Sequence, residues 1–305
     1  MVADLKLAVT GATGFVGGRL LELALAAGHQ VRALTRRPQS ERAGVTWIEG
    51  ALGKPESLDR LVEGADAVIH VAGVINARDA AGFEAGNVTG TAAMIAAAEE
   101  ASIKRFVHVS SLAAREPKLS TYGATKAGAE ALVAASSIPS AIVRPPAVYG
   151  PGDKEMLELF RMAKRGFVLL PPKGRISVIH ADDLSRLLLA LADPSTPKGL
   201  LVEPDDGRHR GWSHKEFGQA LGKALDRRVA TFSTPRPILD LCAGIDRLVR
   251  RDRAKLTADR VAYFCHPDWM VDPGRGAPEK LWQPRVDTEQ GLADTAKWYR
   301  EQGWL

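Results

Sequence analysis

A phenol and an ammonium group lie four residues apart in the segment Tyr122-Gly123-Ala124-Thr125-Lys126. Side chains at this spacing share one face of a helix. A nearby cation favours the phenolate and lowers the tyrosine pKa towards neutral pH, so Tyr122 could pass a proton to or from a substrate oxygen. The alternative interpretation is an exposed helical pair, because a tyrosine and a lysine at this spacing also occur by chance.

Two hydroxyl groups precede this pair in Val107-His108-Val109-Ser110-Ser111, at the end of an apolar stretch that predicts a strand. The carboxyl ends of strands face the ligand in a doubly wound sheet, so Ser111 could hydrogen-bond a substrate oxygen. The alternative is a serine that caps a turn. The order of serine, tyrosine and lysine along the chain favours the chemical interpretation.

A glycine-rich turn near the N-terminus, Thr10-Gly11-Ala12-Thr13-Gly14-Phe15-Val16-Gly17, separates an apolar run from a stretch with helical apolar spacing. Gly11 permits a turn that a Cβ would block, Gly14 lets backbone approach a pyrophosphate, and Gly17 lets helix and strand pack closely. Free N–H groups at the start of the helix attract an anion. The turn predicts a dinucleotide, with a tight strand-to-helix turn as the alternative.

The elements that must position these residues alternate regularly along the chain. Apolar runs predict strands at residues 31–35, 45–49, 67–71, 106–110 and 141–144, separated by helical patterns such as 56–62 and 90–100. This alternation predicts an α/β fold with a doubly wound parallel Rossmann sheet. Residues 176–180, followed by Asp182-Asp183-Leu184, predict a last strand that enters a helix with an acidic first turn.

The composition changes at residues 151–172 and again from Pro194 onward, where proline, glycine and charged residues become denser. We expect a dinucleotide-binding Rossmann domain over residues 1–150 and 174–194. A smaller C-terminal substrate lobe would comprise residues 151–173 and 195–305, with the C-terminal helix packing back on the first domain. Such a lobe would lie beside the carboxyl ends of the strands.

Composition also restricts the partners of this 305-residue chain. Its 41 basic and 36 acidic residues leave a net charge of +5, without the concentrated basic footprint of a nucleic-acid-binding protein. Cys242 and Cys265 form neither a disulfide framework nor a metal-ligand set, and the histidines are scattered, so we expect no metal. A mixed-charge run at residues 246–253 indicates a solvated helix face, with a membrane or anionic-substrate role as the alternative.

The chain begins without a recognisable signal peptide, and its apolar stretches are shorter than the about 20 residues that a membrane span requires. We therefore expect a cytoplasmic protein with no membrane span and no nucleic-acid partner.

The chain resembles the extended short-chain dehydrogenase/reductases, the group of the NAD-dependent epimerase/dehydratases and of the dihydroflavonol reductase and 3β-hydroxysteroid dehydrogenase relatives. The likeness covers nearly the whole chain. The motifs that carry it are residues 10–17, Val71-Ala72-Gly73, Val109-Ser110-Ser111, residues 122–126, residues 144–152, residues 180–184, Gly291-Leu292-Ala293 and Trp298-Tyr299.

The resemblance implies that Tyr122 is the general acid/base, that Lys126 holds the nicotinamide ribose and lowers the tyrosine pKa, and that Ser111 orients the substrate carbonyl. It also suggests a homodimer formed through a helical face. We predict that the cofactor contacts Gly11, Ala12, Thr13, Gly14, Phe15, Val16, Gly17, Arg36, Arg37, Ala51, Leu52, Ala72, Gly73, Ser110, Tyr122, Lys126, Pro145, Ala147 and Val148.

Two departures from common patterns concern the cofactor. Where an NAD site would carry an acidic residue for the ribose 2′-hydroxyl, this chain has Thr35-Arg36-Arg37. Arginine suits a 2′-phosphate and favours NADP, with NAD as the alternative because Arg36 could instead stack on the adenine. Gly50-Ala51-Leu52 lacks the aspartate with which family members contact the adenine amino group, so adenine recognition must rest on backbone or packing.

The predicted function is an NAD(P)-dependent oxidoreductase that transfers a hydride between nicotinamide and a carbonyl or secondary alcohol of a small-molecule substrate. A nucleotide-sugar epimerase or dehydratase is one alternative. Arg36 argues against it, and Leu112-Ala113-Ala114 after Ser111 lacks the acidic pair of a sugar dehydratase. A non-catalytic dinucleotide-binding assembly or sensor protein is another, against which the chain retains Tyr122 and Lys126.

Overall fold

The computed structural model describes residues 4–251, 254 and 256–305, so residues 252 and 253 of the mixed-charge run lie outside the described part. The strands are β1 (Lys6–Thr10), β2 (Gln30–Thr35), β3 (Val45–Glu49), β4 (Ala67–His70), β5 (Arg105–Val109), β6 (Ser140–Val143), β7 (Ala147–Tyr149), β8 (Phe167–Leu170), β9 (Arg175–Ile176), β10 (Val178–His180), β11 (Leu200–Val202), β12 (Trp212–Ser213), β13 (Ala230–Ser233) and β14 (Asp268–Trp269).

The helices are α1 (Phe15–Ala26), α2 (Pro55–Val62), α3 (Ala80–Phe83), α4 (Gly90–Glu100), α5 (Thr121–Ala135), α6 (Leu157–Lys164), α7 (Ala181–Ala192), α8 (His214–Lys223), α9 (Arg236–Arg250), α10 (Ala258–Phe264) and α11 (Thr288–Glu301). A π-helical segment covers Glu84–Thr89, and short 3₁₀ turns cover Leu112–Arg115 and Pro273–Arg275. Among the described residues, no helix combines the length and apolar character needed to cross a bilayer.

The central sheet has seven strands in the order β11-β6-β5-β4-β1-β2-β3, and every pairing in it is parallel. β4 and β5 are buried along their whole length, as expected for strands covered on both faces. The strand order changes direction between β1 and β4, which is the switch point where such sheets bind ligands. The predicted doubly wound α/β fold is confirmed.

The prediction of a last strand at residues 176–180 is wrong for the central sheet. β10 pairs with β7, and β9 pairs with β12 and β14, whereas the place beside β6 belongs to β11. The three residues of β11 are too few to show a period, so this strand had no sequence signal. The helix that follows is correct: α7 begins at Ala181 and carries Asp182 and Asp183 in its first turn.

Contacts divide the chain into two compact units. The first consists of the described residues of Met1–Arg144, Leu184–Glu203 and Arg275–Trp282, and the second of those of Pro145–Asp183, Pro204–Gly274 and Gln283–Leu305. These bounds differ from the domain bounds expected at residues 150, 174 and 194, which stay predictions.

Each unit has its own apolar core. In the first, Leu58 and Leu61 of α2 and Met94 of α4 join Val68 and Phe106 of the sheet. Full burial of a side chain of this size contributes roughly 1.5–3 kcal/mol to folding, so these contacts hold α2 and α4 in place.

In the core of the second unit, the Tyr299 ring of α11 meets the Phe160 ring of α6 edge-on at 5.3 Å between centroids. Leu292 and Ala296 of α11 belong to the same core. The predicted packing of the C-terminal helix on the dinucleotide-binding domain stays a prediction.

Candidate active site

The glycine turn joins β1 to α1 under tight steric limits. Gly11 has a φ of +75°, and a Cβ there would lie 2.8 Å from the backbone nitrogen of Ala72. A Cβ on Gly17 would lie 2.1 Å from the carbonyl oxygen of Gly11. Neither position accepts a side chain without moving backbone, so the glycines are needed for the turn and for close helix packing.

The start of α1 fits a pyrophosphate. Gly14 caps the helix without a side-chain hydrogen bond, and the first turn holds no acidic residue. Thr13 and Gly14 are exposed, Phe15 and Val16 are half-buried, and Ala12 is buried. The first N–H groups and the positive end of the helix dipole therefore face outward, where they attract an anion.

A row of buried, hydrogen-bonded side chains connects the start of this turn to the neighbouring strand and helix. The Thr10 hydroxyl lies 2.8 Å from His70 Nδ1 and accepts a hydrogen bond of 3.1 Å from the backbone N–H of Ala72. His70 Nε2 lies 3.1 Å from the hydroxyl of Thr91 on α4. Burial, with a further contribution from Lys126, lowers the His70 pKa to about 3, so the ring is neutral and links β1, β4 and α4.

The residues predicted to meet the adenosine end follow β2 and β3. Arg36 and Arg37 are exposed, and the Thr35 hydroxyl donates a 2.7 Å hydrogen bond to the Arg37 carbonyl. The backbone of Ala51 both donates to and accepts from the Ser57 hydroxyl, which fixes that loop. Leu52 is half-buried, and a Cβ on Gly90 would lie 2.7 Å from its side chain.

Ser111, Tyr122 and Lys126 meet at the carboxyl end of β5. The Lys126 ammonium donates a 2.7 Å hydrogen bond to the carbonyl of Val109. The Ser111 and Tyr122 hydroxyls are hydrogen-bonded to each other, and Ser111 also accepts from the N–H of Ala113. Ser111 thus caps the 3₁₀ turn, as the alternative interpretation expected, and it also contacts the phenol. Its hydrogen bond to a substrate oxygen stays a prediction.

The electrostatics of this group differ from the expectation in one respect. Burial raises the pKa of Tyr122, and the hydrogen bond from Ser111, rather than Lys126, is the opposing cause. Burial lowers the pKa of Lys126 to about 8, opposed by the charge of Glu130. At neutral pH the phenol is therefore protonated and the lysine is charged.

The predicted residues after β4 lie next to this group. Ala72 is half-buried and Gly73 is exposed. A Cβ on Gly73 would lie 3.6 Å from Lys126 Nζ and 3.2 Å from Oδ1 of Asn87. The glycine-rich turn, the loop after β4 and the lysine are thus close together in the first unit.

Asn87 was missed by the sequence interpretation. It is buried in the π-helical segment, where Oδ1 accepts from the N–H of Val74 at 2.7 Å and Nδ2 donates to the Val74 carbonyl at 3.0 Å. Its amide also donates to the Thr125 hydroxyl, one residue before Lys126. The interruption of a regular helix by a π turn often marks a functional site, but this signal needs backbone coordinates.

An ion network beneath Ser110 was also missed. The Ser110 hydroxyl donates to Glu130, which receives two hydrogen bonds from Arg144, at 2.8 and 2.6 Å. Arg144 and Arg115 both contact Glu203, at 3.3 and 3.2 Å. The Ser110 side chain is therefore directed into this network, although a cofactor contact at Ser110 stays a prediction.

Pro145, Ala147 and Val148 belong to the second unit. Pro145 is buried, and Ala147 and Val148 are half-buried on β7, where Val148 is paired with Ile179. Their predicted contact with the nicotinamide stays a prediction. Within the described part of the chain, no group of three or more His, Cys, Asp or Glu side chains is arranged to hold a metal ion.

The parallel sheet carries its glycine turn at the switch point, where doubly wound sheets bind dinucleotides. Together with a matching NAD(P)H-binding family model and a reductase relative, this arrangement identifies the chain as an NAD(P)-dependent oxidoreductase. A family model described as NAD(P)H-binding matches residues 11–168. The chain belongs to the extended short-chain dehydrogenase/reductases, the NAD-dependent epimerase/dehydratase family.

Individual relatives cover nearly all of the chain. It is 38% identical over 310 residues to a ceramide reductase of Caulobacter vibrioides, an alignment that covers 98% of this chain and 95% of the relative. It is 29% identical to a 2-alkyl-3-oxoalkanoate reductase of Stenotrophomonas maltophilia, covering 94% and 97% of the two chains. The structure of MoeE5 in complex with UDP-glucose and NAD shares the fold, with a TM-score of 0.74 at 22% identity over 98% and 99% of the two chains.

Proposed function

We propose that this protein reduces the ketone of a lipid-like substrate with long alkyl chains to a secondary alcohol, using NADPH. The observation that carries the chemistry is the meeting of Ser111, Tyr122 and Lys126 at the carboxyl end of β5. The observation that favours a lipid-like ketone is the likeness, over nearly all of the chain, to enzymes named for reducing ceramide and 2-alkyl-3-oxoalkanoates.

When bound, NADPH supplies the hydride that forms the new C–H bond at the carbonyl carbon. Tyr122 donates its phenolic proton to the carbonyl oxygen as the C=O double bond becomes a C–O single bond. The raised pKa of Tyr122 keeps the phenol protonated at neutral pH, which is the form that reduction consumes. Ser111 donates a hydrogen bond to the same oxygen and holds the carbonyl within reach of the phenol.

Lys126 acts through its position and its charge. The hydrogen bond to Val109 holds the ammonium at the end of β5, beside Gly73, where it binds the nicotinamide ribose. We assign to its positive charge the stabilisation of the phenolate that Tyr122 leaves when it gives up the proton, in addition to the hydrogen bond from Ser111 that lowers the Tyr122 pKa in the structure. The pKa of Lys126, about 8, keeps this charge in place at neutral pH.

The preference for NADPH over NADH rests on Arg36 and Arg37. Both are exposed directly after β2. This strand pairs with β1, which leads into the glycine turn. Guanidinium groups bind phosphate through paired, charge-assisted hydrogen bonds, and the position holds no carboxylate that would repel a 2′-phosphate.

The experiment that tests the function follows NADPH absorbance with three substrates: a ceramide that carries a ketone, a 2-alkyl-3-oxoalkanoate and UDP-glucose. We expect stoichiometric NADPH oxidation with at least one of the two ketones. Conversion of UDP-glucose without net change in the cofactor would instead establish the epimerase alternative. Binding of NADPH with no turnover of any of the three would favour the non-catalytic alternative.

We further propose that the protein works in the cytoplasm as a homodimer. The free thiols of Cys242 and Cys265 suit a reducing compartment. The dimer rests on the family resemblance alone. Cell fractionation and sedimentation of the purified chain test the two statements separately, and a monomer at micromolar concentration would contradict the second.

A further inference from the structure

The helix α9 in the second unit presents an apolar face to solvent. Its outward side chains Ile238, Leu241, Ile245 and Leu248 recur at spacings of three and four residues, and Val249 adds to them. Between 50% and 81% of each of these side chains is exposed. Side chains at this spacing form one continuous stripe along a helix.

The opposite side of α9 is the one that packs on the protein. Ala243 is buried, and Leu239 and Asp246 are half-buried on the same side. The helix is therefore attached along a narrow line, and its larger apolar surface remains in water. Large exposed apolar patches on soluble domains mark surfaces for proteins or membranes.

A pair of exposed apolar side chains lies on the two-stranded sheet of β8 and β13 in the second unit. Leu169 of β8 and Phe232 of β13 are directly paired in register and are 49% and 54% exposed. Paired residues of neighbouring strands point to the same face of a sheet. Phe232 is four residues from the start of α9, so the strand that carries it leads into the helix.

The charges around α9 are complementary to an anionic surface. The helix carries Arg236, Arg247 and Arg250 and is followed by the exposed Arg251. Asp240 lies 3.7 Å from Arg236, and Asp246 lies 3.2 Å from Arg250 and accepts from the N–H of Leu256. These pairs cancel two of the four positive charges, so the segment from Arg236 to Arg251 keeps a net charge of +2. The three arginines of α9 are four or seven residues from Ala243, so they lie on the side of the helix opposite the stripe. A helix with an apolar face and an arginine-bearing face opposite it is the pattern of helices that lie in the headgroup region of a bilayer.

We propose that α9 docks this protein on an anionic phospholipid surface, with the stripe of Ile238, Leu241, Ile245 and Leu248 inserted among the lipids. A lipid-like ketone is poorly soluble in water, so an enzyme that rests on the membrane meets its substrate there. The biological purpose of docking rests on the proposed function. Docking itself is tested with vesicles and needs no turnover of substrate.

The chain carries its own reporter for this docking. Cys242 is exposed on α9, four residues after Ile238 and three before Ile245, and so lies beside the stripe. In a Cys265→Ser background, a fluorophore on Cys242 that responds to polarity should shift its emission to the blue with vesicles of phosphatidylglycerol and phosphatidylcholine. The shift should be smaller with phosphatidylcholine alone and should weaken with added salt.

Vesicle flotation of the full chain gives the quantitative test. The double variant Leu241→Ser, Leu248→Ser should bind the mixed vesicles roughly tenfold more weakly or worse, because both apolar side chains leave the bilayer. Both residues are exposed, so the variant should keep wild-type NADPH affinity and thermal unfolding. Ile75→Ser is the matched control, since Ile75 is 53% exposed but belongs to the first unit, and it should bind like wild type.

Equal vesicle binding by the double variant and wild type, or no blue shift at Cys242, would overturn the docking proposal. So would a wild-type dimer that the double variant converts to a monomer, because a second copy would then cover the stripe. If the wild type fails to bind vesicles but still reduces ketones in detergent, the docking proposal is wrong and the proposed function stands. Docking without turnover of any ketone contradicts the proposed function instead.

Discussion

The carboxyl edge of β5 in the first unit and helix α9 in the second are opposites in their chemistry. Around β5, polar side chains are buried and hydrogen-bonded to one another, as Ser110, Glu130 and Asn87 show. On α9, apolar side chains stand in water, and Leu248 is 81% exposed. A buried polar group requires partners within the protein, whereas an exposed apolar group indicates a partner outside it.

The two units also differ in how exposed their ion pairs are. Glu130 and Arg144 in the first unit have side chains that are 8% and 14% exposed, and they form two hydrogen bonds. Lys223 and Glu289 in the second unit form a contact between side chains that are 71% and 46% exposed. Water screens the second pair and cannot screen the first, so only the first should matter for folding.

Replacing the proposed proton donor should have the largest effect on activity. Tyr122→Phe should lower kcat for ketone reduction by about 10²–10⁴-fold, because the ring remains but the proton does not. NADPH affinity, measured by fluorescence titration, is the control and should change little. Unchanged turnover in this variant would show that Tyr122 is not the proton donor, and the edge of β5 would then have no chemical role to set against α9.

Breaking the buried ion pair tests the same region through stability. Glu130→Gln should lower the free energy of unfolding by about 3–5 kcal/mol, because Arg144 and Ser110 lose a buried charged partner. Urea unfolding of the wild type and the variant measures this difference in the free energy of unfolding.

The matched control for this variant is Glu289→Gln in the exposed pair of the second unit, which should unfold like wild type. Equal effects of the two substitutions would show that burial does not distinguish the two regions.

Arg36 is exposed like α9, but its predicted partner is the cofactor. Arg36→Ala should weaken NADPH binding by roughly tenfold or more, because a charge-assisted contact to phosphate is lost. Paired titrations with NADPH and NADH measure the change, and NADH affinity should stay the same. An equal loss for both cofactors would mean that Arg36 stacks on the adenine instead.

The smallest expected effect concerns pH. Lys126 has a pKa of about 8, so its charge is present below that pH and disappears as the pH rises through it. Because this charge stabilises the phenolate, kcat/KM for NADPH should fall several-fold above about pH 8. In Lys126→Arg the guanidinium stays charged, so the fall should move to higher pH.

Lys223 is the counterpart in the second unit, since its contact with Glu289 raises its pKa. Lys223→Arg should therefore leave the pH profile unchanged. A profile that shifts equally in both variants would contradict the assignment to Lys126.

The parts of the site that could be predicted are those encoded within a few residues. The glycine spacing of residues 11–17 and the four-residue interval from Tyr122 to Lys126 correspond to one turn and one helix face. The alternation of apolar runs was likewise sufficient to predict the parallel sheet. Chemical roles for these residues remain predictions that the variants above test.

The parts that could not be predicted depend on distant pairings. Arg144 meets Glu203 across 59 positions of the chain, and Asn87 meets Thr125 across 38. β11 occupies the edge of the sheet beside β6, although its three residues carry no periodic signal.

Short-range sequence patterns were enough to predict the glycine turn of residues 11–17 and the shared helix face of Tyr122 and Lys126, because each is completed within one turn or one helix. The α/β class followed from the repeated alternation of such short patterns along the chain. Tertiary packing decided which charges are buried and paired, and it left the apolar face of α9 in water. The sequence of α9 contains both its apolar and its polar face, but packing along Ala243 determined which one faces outward.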